Sequence, residues 1–133
     1  MATWDDVRRL ALALPETSER LSRENVHWWV KDKSFVWERP LRRTDIEALT
    51  ALGATAPDGP VLGARVADTG VRQALIASNP DVFFTIPHFD GYPAVLVRLD
   101  RIDPTELGEL IVEAWLLRAP KRLAQQYLNP SAP

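Results

Sequence analysis

The sequence contains no cysteine among its 133 residues. This absence excludes disulfide bonds, thiolate nucleophiles and zinc sites ligated by cysteine. No apolar run is long enough to span a bilayer, and the N-terminal stretch MATWDDVRRLALALPE is too charged for a signal peptide. We therefore expect a soluble, cytoplasmic protein with no membrane partner.

Common catalytic and cofactor motifs are also missing. The chain has no Walker loop, no glycine-rich dinucleotide fingerprint, no zinc signature and no serine on a nucleophile elbow. We expect no cofactor, no metal site and no enzymatic activity. The net charge of −2 and the pI near 5.7 argue against a surface built wholly for DNA, but they leave room for a local basic patch.

The composition is that of a single globular domain. Hydrophobic residues make up 46% and charged residues 26%, so the chain can bury a core. We place the domain at residues 1–128 and expect the tail NPSAP, residues 129–133, to be frayed.

Helix signals stand near both ends of the chain. Thr3 with Asp6 forms a capping box before the first helix, which Pro15 ends, and ETSERLSREN follows as a polar connection. Asp103 and Pro104 open the longest helix, whose apolar stripe includes Trp115 at the edge of the core. A row of glutamates on this helix, Glu106, Glu109 and Glu113, is expected to form its solvent face.

Five segments have the pattern of strands. NVHWWVK and KSFVWERP predict a hairpin, and VLGARV, DVFFTI and AVLVRL predict three further strands. Alternation places Trp28 on one face with its even-numbered neighbours, and His27 and Trp29 on the other. In the second strand Phe35 and Trp37 should share a face. Short helices are expected at residues 45–52 and in TGVRQALIASNP, where Val71 should face inward.

These elements predict an α+β fold. Short links between strands favour an antiparallel sheet over a βαβ series. We expect a two-layer sandwich in which the N- and C-terminal helices cover one face of an antiparallel five-stranded sheet. The other face should stay partly open, where a ligand can bind.

The stretch PHFDGYP allows two interpretations. His88 and Asp90 could act as a base and its orienting carboxylate, although no nucleophile is marked nearby. Alternatively the stretch is the loop of a hairpin, because Asp90-Gly91 is a strong turn dipeptide and prolines bracket the strand ends. The second interpretation is favoured, since the sequence shows a turn and no convergent groups.

Basic residues cluster in two places. Five cations stand against two acids between residues 31 and 43, and more follow the long helix. Such residues can contact phosphates without fixed spacing, or can simply be a solvated face. The candidate nucleic-acid contacts are Lys31, Lys33, Arg39, Arg42, Arg43, Lys121 and Arg122.

The open face offers a second set of candidates. Trp29 should project outward beside His27, where it could stack on a planar ligand or be covered by other groups. With His88 and Arg98, these residues form the predicted ligand-binding set. A small-molecule or protein-interaction module using this face is the alternative to nucleic-acid binding.

The segments LALALPETSE, FFTIPHFDGYPAVLVRLDRID and LIVEAWLLRAPKRL resemble the MmcQ/YjbR family, in the form common in high-GC actinobacteria. The resemblance implies a fold similar to CyaY and frataxin, and it carries a DNA-binding label. It also implies wings at the turn of residues 31–33 and at the loop of residues 88–92. HFDGY replaces a more basic loop of some relatives, which weakens phosphate contact there. The overall prediction is a non-enzymatic protein that binds nucleic-acid phosphates.

Overall fold

The computed structural model describes residues 1–130. The helices are α1 (Trp4–Leu12), α2 (Arg43–Ala51), α3 (Thr69–Ser78), α4 (Pro104–Arg118) and α5 (Lys121–Leu128). The strands are β1 (Thr17–Ser22), β2 (Asn25–Val30), β3 (Lys33–Glu38), β4 (Val61–Arg65), β5 (Phe83–Phe84) and β6 (Ala94–Arg98). Short 3₁₀ turns occupy Pro87–Phe89 and Leu99–Arg101. Within this described part, no helix has the length and apolarity needed to cross a membrane.

The strands form one antiparallel sheet in the order β1-β2-β3-β4-β6-β5, which confirms the α+β prediction. The sheet has six strands rather than five, because the segment predicted as a polar connection forms β1. This strand pairs with β2 from Thr17↔Val30 to Ser22↔Asn25. An edge strand has one neighbour only, so its polar side chains can stay in water.

The larger hydrophobic cluster lies between the sheet and the two helices α1 and α4. Val7 and Ala11 of α1 meet Trp28 and Val30 of β2 in this cluster. Trp115 of α4 is fully buried and donates its indole N–H to the Pro15 carbonyl, with an N···O distance of 3.1 Å. The prediction that Trp115 lies at the core edge is therefore wrong, because α4 crosses the middle of the sheet.

The predicted capping signals are confirmed at the starts of α1 and α4. Thr3 accepts from the Asp6 backbone N–H while Asp6 accepts from the Thr3 backbone N–H, forming the predicted capping box. The Asp103 carboxylate accepts from the backbone N–H groups of Thr105 and Glu106 at the start of α4. Both caps satisfy backbone donors that an isolated helix leaves unpaired.

The predicted alternation holds in β2 but fails in β3. The pairing of β2 with β3 shifts register between Trp28 and Trp29, as in a β-bulge. A bulge adds a residue to one strand and changes which side chains share a face. Phe35 and Val36 accordingly both join the larger cluster, whereas Trp37 lies on the opposite face.

A second, smaller cluster covers part of that opposite face. Leu49 of α2 and Phe89 of the 3₁₀ turn pack there over Trp37 and Leu96. The Trp37 ring lies across Gly63 of β4, where a Cβ atom would come within 2.5 Å of the indole. Glycine is therefore required at this position for the ring to lie flat against the sheet. The face is partly open, as expected, and the uncovered part forms a groove.

Candidate functional site

The groove on the second face has a volume of about 340 Å³ and brings together three parts of the chain. One wall is the β1–β2 turn, the floor comes from β2 and β3, and the other wall combines the start of α2 with the loop PHFDGYP. The lining residues are Ser22, Arg23, Asn25, His27, Trp37, Glu38, Arg39, Arg42, His88, Phe89 and Tyr92.

The floor of the groove is built around His27. Its ring lies between those of Trp29 and Trp37, with centroids 5.5 and 6.0 Å away and planes within 26° and 11° of parallel. Nδ1 of His27 is 2.9 Å from the Ser34 hydroxyl oxygen. Burial lowers the pKa of His27 below its ordinary value of 6.5, and the nearby Glu38 carboxylate opposes this in part. The imidazole is therefore neutral at pH 7.

Trp29 lies beside the groove rather than in it. The Arg20 guanidinium covers its ring at 4.5 Å from the centroid, a cation–π contact. Its indole nitrogen is buried and has no hydrogen-bond partner among residues 1–130. In this arrangement Arg20 occupies the exposed ring face, so Trp29 stacks on a ligand only if Arg20 moves away.

The loop PHFDGYP is held onto the sheet by a buried arginine. Arg72 of α3 is only 6% exposed, and its Nη1 donates to the carbonyl oxygens of Phe89, Tyr92 and Ala94 at 3.0, 2.8 and 3.1 Å. Within the loop, the Phe89 side chain is buried against the sheet, whereas the His88 side chain is exposed at the groove wall. The implied wing at residues 88–92 is therefore folded back onto the sheet.

Sequence reasoning missed Arg72 and Tyr92. Val71 was expected to face inward from α3, but it is 41% exposed and its neighbour Arg72 is buried instead. The loop itself could have indicated a buried arginine. Its backbone carbonyls have few donors nearby, so a donor must come from another part of the chain. Tyr92 accepts at its hydroxyl from Arg65 at 3.1 Å and packs against Phe89 with centroids 5.7 Å apart.

Arg39 is a structural residue. It is 8% exposed, and its Nη2 lies 3.1 Å from an Asp45 carboxylate oxygen. The two groups form an ion pair but not a hydrogen bond, because Nη2 of Arg39 has no well-aligned acceptor among residues 1–130. Nη1 of Arg39 donates to the Pro40 carbonyl at 2.6 Å. Since Asp45 compensates its charge, Arg39 lines the groove without offering a free cation.

Arg42 and Arg43 are both exposed at the start of α2, but they differ in partner. The Arg43 guanidinium pairs with Glu47 at 3.2 Å along the helix. Within residues 1–130 the Arg42 side chain forms no ion pair, and it borders the groove. Arg42 is therefore the predicted phosphate contact that is best placed to meet a ligand there.

The remaining predicted cations lie elsewhere. Lys33 begins β3 and Lys31 lies in the turn before it. Lys33 is about 20 Å from Arg39, which directly follows the strand. Lys31 pairs with Glu16 at 2.7 Å. Lys121 and Arg122 begin α5, which packs on the helical side through contact of Tyr127 with Trp115. The seven predicted nucleic-acid contacts therefore do not form one continuous surface.

Arg98 is also outside the groove. It lies on β6, separated from β2 by two strands, which corresponds to about 14 Å. Its guanidinium stands 4.6 Å from the Phe84 ring centroid and donates to the Pro80 carbonyl at 3.3 Å. Burial lowers the pKa of Arg98, and the charge of Arg101 adds to this effect. Of the four predicted ligand contacts, the groove brings together His27 and His88.

Comparison with known proteins supports the expected family. The family model described as YjbR matches residues 12–117. The chain belongs to the YjbR family. This YjbR-family chain is 56% identical over 131 residues to uncharacterized protein Rv2570 of Mycobacterium tuberculosis (strain H37Rv) and to uncharacterized protein Mb2600 of Mycobacterium bovis. The alignments cover 98% of this chain and 99% of each relative.

A solved structure agrees with the fold. The Deinococcus radiodurans protein DR2400, whose crystal structure contains the family-model domain DUF419, superposes with a TM-score of 0.63. The match covers 88% of this chain and 78% of that one, at 24% identity. At this identity the likeness shows the fold alone. The groove residues must therefore be interpreted from their own chemistry.

Proposed function

We propose that this protein is a non-enzymatic binding protein whose groove on the second face takes an anionic ligand. The supporting observation is the charge of the lining: Arg23 and Arg42 border the groove, and among residues 1–130 the only acid that lines it is Glu38. Glu38 already accepts from the Val26 backbone N–H at 2.8 Å. A basic groove on a chain with a net charge of −2 is suited to a phosphate or carboxylate group.

The other lining residues suit a ligand with an apolar or ring-shaped part. Trp37, Phe89 and Tyr92 supply aromatic surface, while His88 is an exposed hydrogen-bonding group at the wall. A volume of about 340 Å³ is at the small end of the range for small-molecule sites. A phosphorylated metabolite of nucleotide size, or a smaller one, matches these properties.

The test is calorimetric titration with AMP, adenosine and inorganic phosphate, in parallel with tryptophan fluorescence, because Trp37 lies in the groove. We expect AMP to bind more tightly than adenosine. Arg42→Ala should weaken AMP at least tenfold, whereas Arg43→Ala should not, since Arg43 is paired with Glu47. Equal binding of AMP and adenosine would refute the anionic preference. Absence of binding by both AMP and inorganic phosphate at low salt would refute the proposal.

A nucleic-acid backbone is the second candidate ligand. The observation that favours it is the group of exposed cations at one end of the groove: Arg23 on the β1–β2 turn, with Arg42 and Arg43 at the start of α2. A helix N-terminus adds favourable partial charge for a phosphate. In this proposal Lys33 would contact a more distant phosphate of the same strand, whereas Lys121 and Arg122 lie on the helical side, away from the groove.

Fluorescence polarisation with labelled single-stranded and duplex DNA distinguishes the two candidates. If a nucleic acid is the ligand, the logarithm of the binding constant falls linearly with the logarithm of salt concentration. Arg42→Ala and Lys33→Ala should each reduce that slope by about one ion. No binding of either DNA at low salt would reject the nucleic-acid candidate while leaving the small-anion proposal to its own test.

A further inference from the structure

A second groove lies on the opposite side of the sheet, between α3 and α4. Its volume is about 350 Å³. It is lined by apolar groups from both helices and from β5, together with three glutamates and one arginine: Arg65, Val66, Ala67, Val71, Leu75, Phe83, Glu106, Glu109, Leu110, Glu113 and Leu117. This α3–α4 groove shares none of the residues that line the groove proposed above to bind an anion.

The floor of the α3–α4 groove is apolar, and apolar side chains are exposed on both of its walls. Phe83 and Leu110 are buried at its base. Val71 on α3 is 41% exposed, and Leu117 on α4 is 46% exposed. Exposed apolar groups that line a concave surface with a polar rim are typical of interaction sites.

The glutamate row forms one rim of this groove. Glu106, Glu109 and Glu113 are three and four positions apart, so they stand on one side of α4 and span about 10 Å. Within residues 1–130 none of the three carboxylates takes part in an ion pair. The row is therefore more than the solvent face expected from the sequence, because it borders apolar surface.

The spacing of these carboxylates determines which kind of cation they can bind. Spaced along two turns of helix, they do not converge on one point, and no group of acids or histidines among residues 1–130 is arranged to hold a metal ion. A small amine could meet only one of them. A helix with basic residues at positions i, i+3 and i+7 presents cations at the same intervals.

We propose that the α3–α4 groove docks a cationic amphipathic helix of a partner protein. The apolar side of that helix packs on Val71, Leu110 and Leu117, and its lysines or arginines pair with the three glutamates. This is the helix-in-groove mode of recognition. The inference is independent of the anion-binding proposal, because the two grooves lie on opposite sides of the sheet.

The test uses a synthetic helical peptide of about three turns with leucines on one side and lysines along its flank, and a matched peptide with glutamate in place of each lysine. Binding is followed by fluorescence polarisation of the labelled peptides. We expect the lysine peptide to bind in a 1:1 ratio and the glutamate peptide not to bind. Glu109→Lys/Glu113→Lys should weaken the lysine peptide at least tenfold, and Leu117→Ser should weaken it several-fold.

The control is Glu24→Lys/Asp32→Lys, which makes the same change in net charge in two exposed turns remote from the α3–α4 groove. This variant should bind the lysine peptide as the wild type does. If both double variants lose affinity equally, the attraction is unspecific and the proposal is overturned. The proposal is also overturned if the lysine peptide does not bind.

Sedimentation of the protein alone is the third measurement. A dimer abolished by Glu109→Lys/Glu113→Lys would assign the groove to a second copy and overturn the partner proposal.

Discussion

The two faces of the sheet are stabilised in different ways. The face under α1 and α4 carries the larger cluster, which is apolar and includes Trp115, the largest of its fully buried side chains. The face under α2 and the loop PHFDGYP carries the smaller cluster, beside which the two buried arginines, Arg39 and Arg72, hold the covering segments. The first face is shaped mainly by apolar packing. The second depends on charged groups that bond to specific partners, and it therefore can be both ordered and partly open.

This difference explains why the groove proposed to bind an anion lies where it does. A buried guanidinium must have acceptors, and Arg72 finds three backbone carbonyls in the loop. A loop held by polar contacts need not cover the sheet completely, so polar groups such as His27 and His88 can remain beside the aromatic cluster. An apolar helix packed over the same strands would have excluded them.

The largest effect should come from the apolar face. Trp115→Ala removes the largest fully buried side chain and leaves a cavity, which typically costs about 3–5 kcal/mol of unfolding free energy. Urea unfolding followed by circular dichroism measures this loss. Leu117→Ala, on the same helix but 46% exposed, is the control and should cost about 1 kcal/mol or less. If the variant with alanine at position 115 does not fold, Trp115→Phe keeps most of the volume and loses only the bond to Pro15. A loss at Trp115 no larger than the loss at Leu117 would contradict the comparison.

Arg72→Met should reduce stability less than Trp115→Ala does, but it should disturb the groove more. Methionine fills similar space but leaves the carbonyls of Phe89, Tyr92 and Ala94 without this donor, at a cost of about 1–3 kcal/mol. Amide hydrogen exchange should become faster in residues 87–93, and AMP binding should weaken. Arg65→Met is the matched control, because it removes a hydrogen bond and a cation–π contact to the Tyr92 side chain but no bond to a carbonyl of the loop. Unchanged exchange in the loop of the Arg72 variant would show that the guanidinium does not hold it.

The sequence predicted well what depends on local pattern. Thr3 with Asp6, Asp103 before Pro104, and the alternation of Trp28 with His27 are decided by neighbours along the chain, and the structure confirms them. The sequence failed where one segment depends on a distant one. The bulge that moves Trp37 away from Phe35 arises from the pairing of β2 with β3, and no local signal marks it.

The candidate site shows the same limit. The sequence predicts both His27 and His88 as ligand contacts, but 61 positions separate them, and it is the folded-back loop held by Arg72 that brings His88 to the same groove as His27. Local composition also suggested that residues 31–43 form a single basic stretch. A strand extends about 3.3 Å per residue, so the basic residues before and after the six residues of β3 lie far apart.

The smallest effect is a pH dependence near neutrality, which the second face should show through His27. Burial lowers the folded-state pKa of His27 below 6.5, so the unfolded chain binds the proton more readily. The contribution of neutral His27 to stability is therefore fully present above about pH 6.5 and is lost as the pH falls from there through the folded-state pKa. His27→Gln should reduce the slope of unfolding free energy against pH in that window.

His88→Gln is the control for this measurement, because it makes the same replacement at an exposed position of the groove wall. A bound anion adds a further test. Negative charge beside His27 favours the imidazolium, so it should raise the folded-state pKa and flatten the slope. AMP protonates in the same window, because the second pKa of a phosphate monoester is about 6, so the comparison is made between the two proteins. By linkage, the affinity of the wild type for AMP relative to that of His27→Gln should rise as the pH falls toward the folded-state pKa of His27. If AMP binds with the same pH dependence in both proteins, the anion does not lie beside His27, and the second face is ordered by its arginines for some other purpose.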